Sequence, residues 1–350
     1  MTNADDLRMI RESAAGIAPR TSDLKRIRAL RFTEPGFDKS VWRDMCEMGW
    51  LGLLVPEDRG GSGLGVQAFC ALTEELGAAL IPEPLIAAAM AARLLPQDAL
   101  ADVMSGERIV LPAWQEKPLS IELHDGATLF DHGKVSGQKV FVAMAAGADA
   151  FLVTVAGGMA LVERDAQGVH LACQTTQDGG NAGTLTLVNA PAQFIPGDAS
   201  EAFETACMAT SAYLLGVMDR VFGITLEYLK TREQFGRKIG SFQALQHRSA
   251  DLKIQISLAR ATVSAAAKTQ DESTDPSVRK AAVSRAKARA SDAASIVTRG
   301  CIQLHGGIGY TDAADPGLFL RKMMVLAPAY GSAAVHRARF RALAPSGDED

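Results

Sequence analysis

Over roughly the first hundred residues, apolar positions recur at three- and four-residue intervals. The stretches 24–30, 41–48, 66–76 and 85–95 each carry the stripe of an amphipathic helix, punctuated by Pro35, Gly36, Pro56, Gly60, Gly61, Pro82 and Pro84. From Ile109 to about Ala190 the pattern changes to short β-rich runs at 109–111, 127–130, 150–155, 159–162, 169–173 and 184–188, with Gly157-Gly158 as a hairpin signal. These predict a compact antiparallel sheet. Beyond Ala202 the helical period returns in longer elements. Leu214, Met218, Val221, Leu226 and Leu229 make one stripe; Phe242, Leu245, Leu252, Ile256 and Ala259 make a second, with Ser241 as its expected N-cap. Asp275-Pro276 supplies the N-cap and N1 of a third helix, which Gly306-Gly307 closes. The predicted fold is mostly α with a small middle β domain: an N-terminal helical domain over 1–108, an antiparallel β domain over 109–198 and a helical bundle over 199–350.

One run could pass for a membrane span, because residues 140–162 hold a single ionised side chain, Asp149. A charge there costs roughly 2.5–3.5 kcal/mol, and Gly147, Gly157 and Gly158 cut the run into strand-length pieces. Strands are expected. The stretch 1–12 is acidic and mixed and lacks the layout of a signal peptide, which makes a cytoplasmic location the expectation. With 36 Lys and Arg against 40 Asp and Glu, the formal net charge of −4 argues against a nucleic-acid partner. Five scattered cysteines, Cys46, Cys70, Cys173, Cys207 and Cys301, without C-x-x-C spacing read as reduced thiols. The six histidines (His124, His132, His170, His247, His305, His336) show no ligand spacing, so no metal site is expected. Trp42, Trp50 and Trp114 read as core or interface aromatics, and the basic run 279–289 as a solvated helix face.

Two segments could carry chemistry. In 231–248, Arg232 can grip a pyrophosphate bidentately, Phe235 can stack on a purine, and Gln243 can hydrogen-bond nearby polar atoms. The alternative is an exposed helix end and a turn built on Gly236 and Gly240. In 303–311, the backbone at Gly306 and Gly307 can approach a ligand with no Cβ in the way; the alternative is a glycine helix cap with His305 on the last carbonyls. The glycine cluster 60–63 lacks a preceding strand and a Gly-Lys-Ser/Thr, so it reads as a loop between helices.

The order of helical domain, small sheet and long helices, with the Arg232-x-x-Phe235-Gly236 … Phe242-Gln243 and Gln303-x-x-Gly306-Gly307-x-Gly309 segments, resembles the acyl-CoA dehydrogenase family. Val55-Pro56-Glu57, Gly60-Gly61 and Glu74-Glu75-Leu76-Gly77 resemble that family's N-terminal helical domain. The resemblance runs from about Val41 to Arg341 and implies a C-terminal four-helix bundle, FAD as cofactor and α,β-dehydrogenation of an acyl-CoA thioester. It also implies an electron-transfer flavoprotein or similar acceptor. By similarity, Arg232, Phe235, Gln243, Gln303, Gly306 and Gly307 hold the adenosine-pyrophosphate half of an FAD seated mainly in a neighbouring subunit.

Other segments depart from the family's pattern. The loop that would seat the flavin ring, 111–118, lacks its Gly-Ser-Asp, and the flanking strand reads Phe141-Val142-Ala143. Tyr330 occupies the position of the usual catalytic glutamate and Ala334 that of a following glutamine. A phenol of pKa near 10 is a poor base at neutral pH. Some relatives carry the glutamate on the preceding long helix. There Ala206, Cys207 and Tyr213 lie near the equivalent position, with Glu204 two residues off as a fallback base. This pattern resembles the short subunits of heteromeric α2β2 bacterial acyl-CoA dehydrogenases and implies a second acyl-CoA dehydrogenase subunit as partner. By analogy the substrate is a bulky, steroid-type thioester. A self-sufficient enzyme with an unrecognised base, and a flavin-free scaffold or acyl-CoA-binding subunit, are the alternatives.

Overall fold

Each stripe predicted from spacing falls in a helix: the four N-terminal ones with bounds moved by at most two residues, and the stripes 214–229 and 242–259 as parts of much longer helices. A computed structural model describes residues 4–21, 23–123 and 126–343, so His124 lies outside the described residues. Helices α1 (Ala4–Ile17), α2 (Lys25–Leu30), α3 (Lys39–Glu47), α4 (Gly65–Ala78), α5 (Leu85–Leu94) and α6 (Gln97–Met104) come first. Strands β1 (Val110–Ala113), β2 (Leu129–Asp131), β3 (Lys134–Ala143), β4 (Ala150–Val155), β5 (Gly158–Glu163), β6 (Val169–Thr175), β7 (Asn181–Pro191) and β8 (Gln193–Pro196) follow. Helix α7 (Ser200–Thr231), the hairpin strands β9 (Glu233–Gln234) and β10 (Arg237–Lys238), and helices α8 (Gln243–Glu272), α9 (Pro276–His305), α10 (Pro316–Leu326) and α11 (Ala333–Leu343) complete the chain. Contacts group the described residues into two units. One holds the described residues of 25–65 and 82–206; the other holds those of 4–24, 66–81 and 207–343.

In the first unit the β segment forms two four-stranded sheets. The order β2-β3-β7-β6 is antiparallel throughout, whereas in β1-β4-β5-β8 the β1–β4 pair is parallel. The run 140–162 does divide into strands, and Asp149 starts β4 by accepting from the Ile109 amide at 2.8 Å. The Gly157-Gly158 hairpin joins β4 to β5. Strand β3 escapes the sequence pattern because a lysine sits at a position of the strand that faces inward. Lys139 is fully buried, and its Nζ donates to Glu116 Oε1 at 2.8 Å, Thr154 Oγ1 at 3.0 Å and Trp114 O at 3.3 Å. Glu116 also accepts from the Thr128 and Ala127 amides. Burial alone raises a carboxyl, but the hydrogen bonds from Lys139 and Thr128 win and bring Glu116 down to about 2.

The glycine loop between η-turn residues and α4 has no phosphate cradle to offer. The amides of Gly61, Ser62, Gly63 and Leu64 donate to Pro56, Gly52, Val55 and Leu53 respectively, so all four are consumed internally. A Cβ at Gly61 would collide with Val55, which explains the glycine.

In the second unit α9 packs against α8, α10 and α11, and α7 meets α9 through Tyr228 and His305 and α8 through Asp219 and Arg260. Helix α4 meets α7 backbone to backbone: a Cβ at Gly77 would strike Tyr213 O, and one at Gly216 would strike Glu74 O. Two neighbouring carboxylates, Glu74 and Glu75, are buried beside this crossing. Arg11 donates to Glu75 at 2.6 Å and to Glu74 at 3.0 Å, Arg20 to Glu75 at 2.7 Å, and Arg260 to Glu74 at 2.7 Å and also to Asp219. Burial works to raise Glu75, but hydrogen bonds from Arg20 and Arg11 hold it below the usual carboxylate value. Asp275 caps α9 as expected, accepting from Ser277 at 2.8 Å and Val278 at 3.3 Å, with Pro276 at the first position. The expected Ser241 cap of α8 is corrected: Phe242 is the capping residue, and the Ser241 hydroxyl donates to Lys238 O within the preceding turn. Helix α7 is long and apolar enough to cross a bilayer, but 78% of its apolar window is buried, as in an interior helix.

Lys139→Met is expected to destabilise the protein by about 3–5 kcal/mol, because it strands a buried carboxylate. Since the folded Glu116 value lies below the unfolded one, its contribution is complete above about pH 4.5 and is lost as pH falls toward about 2. Urea denaturation of wild type and variant at pH 7 and pH 3 checks this: the gap between them should narrow at the lower pH.

Candidate functional site

Helix α7 ends at Thr231, and the chain turns back through the shortest possible ladder, with Gln234 opposite Arg237 and Glu233 opposite Lys238. The two turn residues, Phe235 at φ +55° and Gly236 at φ +75°, have the sign pattern of a type I′ turn. Glycine takes this conformation freely; phenylalanine takes it at a cost. The result is a ring 91% exposed at the tip of the hairpin. Phe242, where the turn ends, meets Phe235 edge-on at 6.2 Å and 86°, and the Arg237 guanidinium lies 4.0 Å over the Phe242 ring. Arg232 and Gln243, on either side of the hairpin, are also exposed. The Ile239 amide donates to Arg232 O at 2.9 Å and closes the loop.

At the end of α9, Gly306 is the C-cap and His305 lies against a last-turn carbonyl, as the helix-cap alternative describes. Its Nδ1 lies 2.8 Å from Cys301 O, and its ring stacks on Tyr228 at 4.5 Å, 18° from parallel. Burial lowers its pKa below the ordinary histidine value. Gly306 follows at φ +66°. Nothing lies within 4 Å of a Cβ built on Gly306 or Gly307, and both glycines and Gln303 are exposed. The cap and a ligand-facing surface therefore coexist: the cap uses the inner side of this turn and leaves its outer side open. These six residues provide a guanidinium, an exposed ring, two side-chain amides and two bare backbone positions. Those are the groups an adenosine pyrophosphate needs, so the residues present fit that half of FAD.

The base position is built the opposite way. The turn 327–331 is held by donors on three of its carbonyls. Lys287 Nζ donates to Ala327 O at 2.7 Å and Gly331 O at 3.2 Å, with Ser291 Oγ as its third acceptor at 3.1 Å. Ser291 Oγ in turn donates to Ala327 O at 3.1 Å. Tyr330 O accepts from His336 Nε2 at 2.8 Å and from the Cys207 thiol at 3.6 Å. Tyr330 itself sits at φ +55°. Its neighbourhood is strongly desolvated: burial pushes the Tyr330 phenol up, the Lys287 ammonium down to about 8 and the His336 imidazole down to about 3. No carboxylate takes part in these hydrogen bonds. Tyr330, expected at the usual base position, and Cys207, one of the three residues expected near the alternative one, are brought together through the Tyr330 carbonyl and the Cys207 thiol. Glu204 is buried at 5% exposure on the first-unit part of α7.

The segment matched to the flavin-ring loop also turns its polar groups inward. Glu116 is consumed by Lys139, Ala127 and Thr128, and Trp114 O by Lys139 and Thr154, while β1 is wholly buried. Phe141 is exposed at φ +56° on the β3 bulge.

Lys287 was missed as a site residue, because the basic run suggested a solvated face; the structure corrects this and buries it completely. The signal was present in the spacing: Lys287 falls in phase with Val283, Ala290 and Ala294 on the inward stripe of α9. Trp42, Trp50 and Trp114 are core residues, and all five cysteines are free thiols, Cys173 alone being exposed. Among the described residues no three His, Cys, Asp or Glu side chains gather where a metal ion could be held.

Residues 4–97 match the model for the acyl-CoA dehydrogenase N-terminal domain, and residues 197–342 that for the acyl-CoA dehydrogenase C-terminal domain. The acyl-CoA dehydrogenase IpdE2 of Mycolicibacterium smegmatis is 32% identical over 337 residues, 94% of each chain. Among solved structures, the Tcur3481-Tcur3483 steroid ACAD (a G363A variant) is similar at TM-score 0.88 and 30% identity, over 97% of each chain. The ChsE4-ChsE5 complex from Mycobacterium tuberculosis is similar at TM-score 0.87 and 28% identity, over 99% of each chain.

Lys287 also gives a stability signature. Its folded pKa, about 8, lies below the ordinary 10.5, so the unfolded state binds the extra proton between those values and stability rises with pH across that window. Relative to Lys287→Met, wild type should gain on the order of 2–3 kcal/mol between pH 7.5 and pH 10.5 in urea denaturation. A gap independent of pH would contradict the buried ammonium.

Proposed function

The chain belongs to the acyl-CoA dehydrogenase family, and from that premise we propose that it is the partner subunit of a two-component, FAD-dependent acyl-CoA dehydrogenase. In this reading Arg232, Phe235, Gln243, Gln303, Gly306 and Gly307, all within 199–350, hold the adenosine-pyrophosphate half of an FAD whose ring and catalytic base belong to the other subunit. The observation that carries it is the contrast within one unit. The nucleotide-gripping residues are all exposed, while the backbone carbonyls of the turn that carries Tyr330 are hydrogen-bonded within the chain.

When bound, FAD accepts the hydride that leaves Cβ of the acyl-CoA thioester. This chain's residues bind and orient. Arg232 neutralises the pyrophosphate through paired N–H donors, Phe235 stacks on the adenine, and the open backbone at Gly306 and Gly307 allows the close approach that a side chain would block. Tyr330, whose phenol burial pushes above its ordinary value, takes no α-proton here. Similarity to the Tcur3481-Tcur3483 steroid ACAD and to the ChsE4-ChsE5 complex supports both a two-chain assembly and a bulky, steroid-type acyl group. An electron-transfer flavoprotein or similar acceptor completes the turnover.

The test is co-expression with and without the second subunit. The expected result is a colourless, inactive chain alone and a yellow complex with one FAD per pair of chains. Phe235→Ala should weaken FAD binding to that complex by roughly 5- to 150-fold, the range for losing one stacked base. A yellow, fully active assembly of this chain alone rejects the proposal. Because Glu204 is buried on α7, the alternative of a self-sufficient enzyme has a specific candidate base: loss of turnover in Glu204→Gln with FAD retained would select it. A complex that stays colourless selects a flavin-free scaffold.

A further inference from the structure

A hairpin with two residues per strand, exposed at every position, has too few ladder bonds to hold its own shape. It nevertheless carries Phe235 in a left-handed conformation that phenylalanine rarely adopts, 91% exposed, with no packing of its own to offset the strain. Something else fixes that ring. Its aromatic neighbour is Phe242, 6.2 Å away and nearly perpendicular, an edge-on geometry with a defined direction. Phe242 is in turn held from the other strand by Arg237, whose guanidinium lies 4.0 Å over its face. The Arg237 side chain thus bridges from β10 to the N-cap of α8, a rigid 30-residue helix.

We propose that Arg237 is a positioning residue of the adenosine clamp, acting through Phe242 to fix the ring of Phe235 for stacking on adenine. The inference rests on the FAD reading above. Arg237 covers one face of Phe242, and Phe242 and Phe235 form a perpendicular pair, so Phe242 is committed to support while Phe235 stays 91% exposed. Phe235 keeps its own faces open, and it is the ring left to receive the base. Arg232, before the hairpin, is the guanidinium for the phosphates; Arg237, inside it, acts on a ring.

The test titrates the deflavinated complex of this chain and its partner subunit with FAD and with FMN, which shares the ring and one phosphate but lacks adenine. Flavin fluorescence is the readout. Arg237→Met should weaken FAD roughly two- to five-fold, the range for an exposed cation–π contact, and leave FMN unchanged. Phe242→Leu should do the same, the double variant should be no worse than either single one, and Arg237→Lys should recover part of the loss. Equal weakening of FAD and FMN by Arg237→Met would mean direct contact with phosphate and would overturn the proposal. So would an unchanged FAD affinity in Arg237→Met while Phe235→Ala weakens it, a result that leaves the clamp itself standing. If Phe235→Ala also has no effect, the clamp reading fails first. Thermal midpoints of all variants, expected unchanged, separate positioning from loss of fold.

Discussion

Burying Glu74 and Glu75 side by side is the constraint from which much of the second unit follows. Two adjacent carboxylates in an interior repel each other and lose hydration, so they persist only if cations reach them. None is nearby in sequence. Arg11 and Arg20 come from more than fifty residues upstream, and Arg260 from nearly two hundred downstream. The acid pair therefore draws the N-terminal segment and α8 to α4, and the two glycines at the α4–α7 crossing let the backbones come close enough for this to happen. The Glu-Glu-Leu-Gly signature, which looks like a chemical motif, is an architectural one here: two acids that recruit arginines and a glycine that admits a neighbour's carbonyl.

On that frame, the same unit handles polar groups in two contrasting ways. Around Tyr330, donors from α7, α9 and α11 converge on the backbone carbonyls of Ala327, Tyr330 and Gly331. Around Phe235 and Gly306 the chain satisfies its own backbone economically and leaves side chains and open space outside. Burial lowers the pKa of a lysine in the first setting, while an arginine in the second lies over an aromatic ring.

Helix positions were legible beforehand from apolar spacing. The proposed clamp came from the resemblance of 231–248 and 303–311 to the family, since the residues of each segment by themselves read equally as a helix end and a glycine turn. The strands were harder. β3 hid because its inward position is Lys139, whose burial makes sense only once Glu116 and Thr154 are known to face it. Lys287 hid for the same reason: a cation scored by composition is a surface residue, and only the carbonyls waiting for it make it a core one. The Ser241 cap misled because the chain takes a tight 3-10 turn before α8, and that turn claims the hydroxyl for Lys238. Local propensity is readable from one segment at a time; a buried ion or a diverted hydroxyl is a property of two.

The exposed Phe235 tip also bears on how such a chain fares in the cell. An orphan copy displays an apolar ring, bare glycine backbone and uncovered aliphatic side chains such as Ile254 and Leu258, features that invite self-association and proteolytic nicking. Synthesis in step with whatever covers that surface protects it. On the proposal of a second subunit, abundance of the chain is set less by its own folding free energy than by the supply of that subunit.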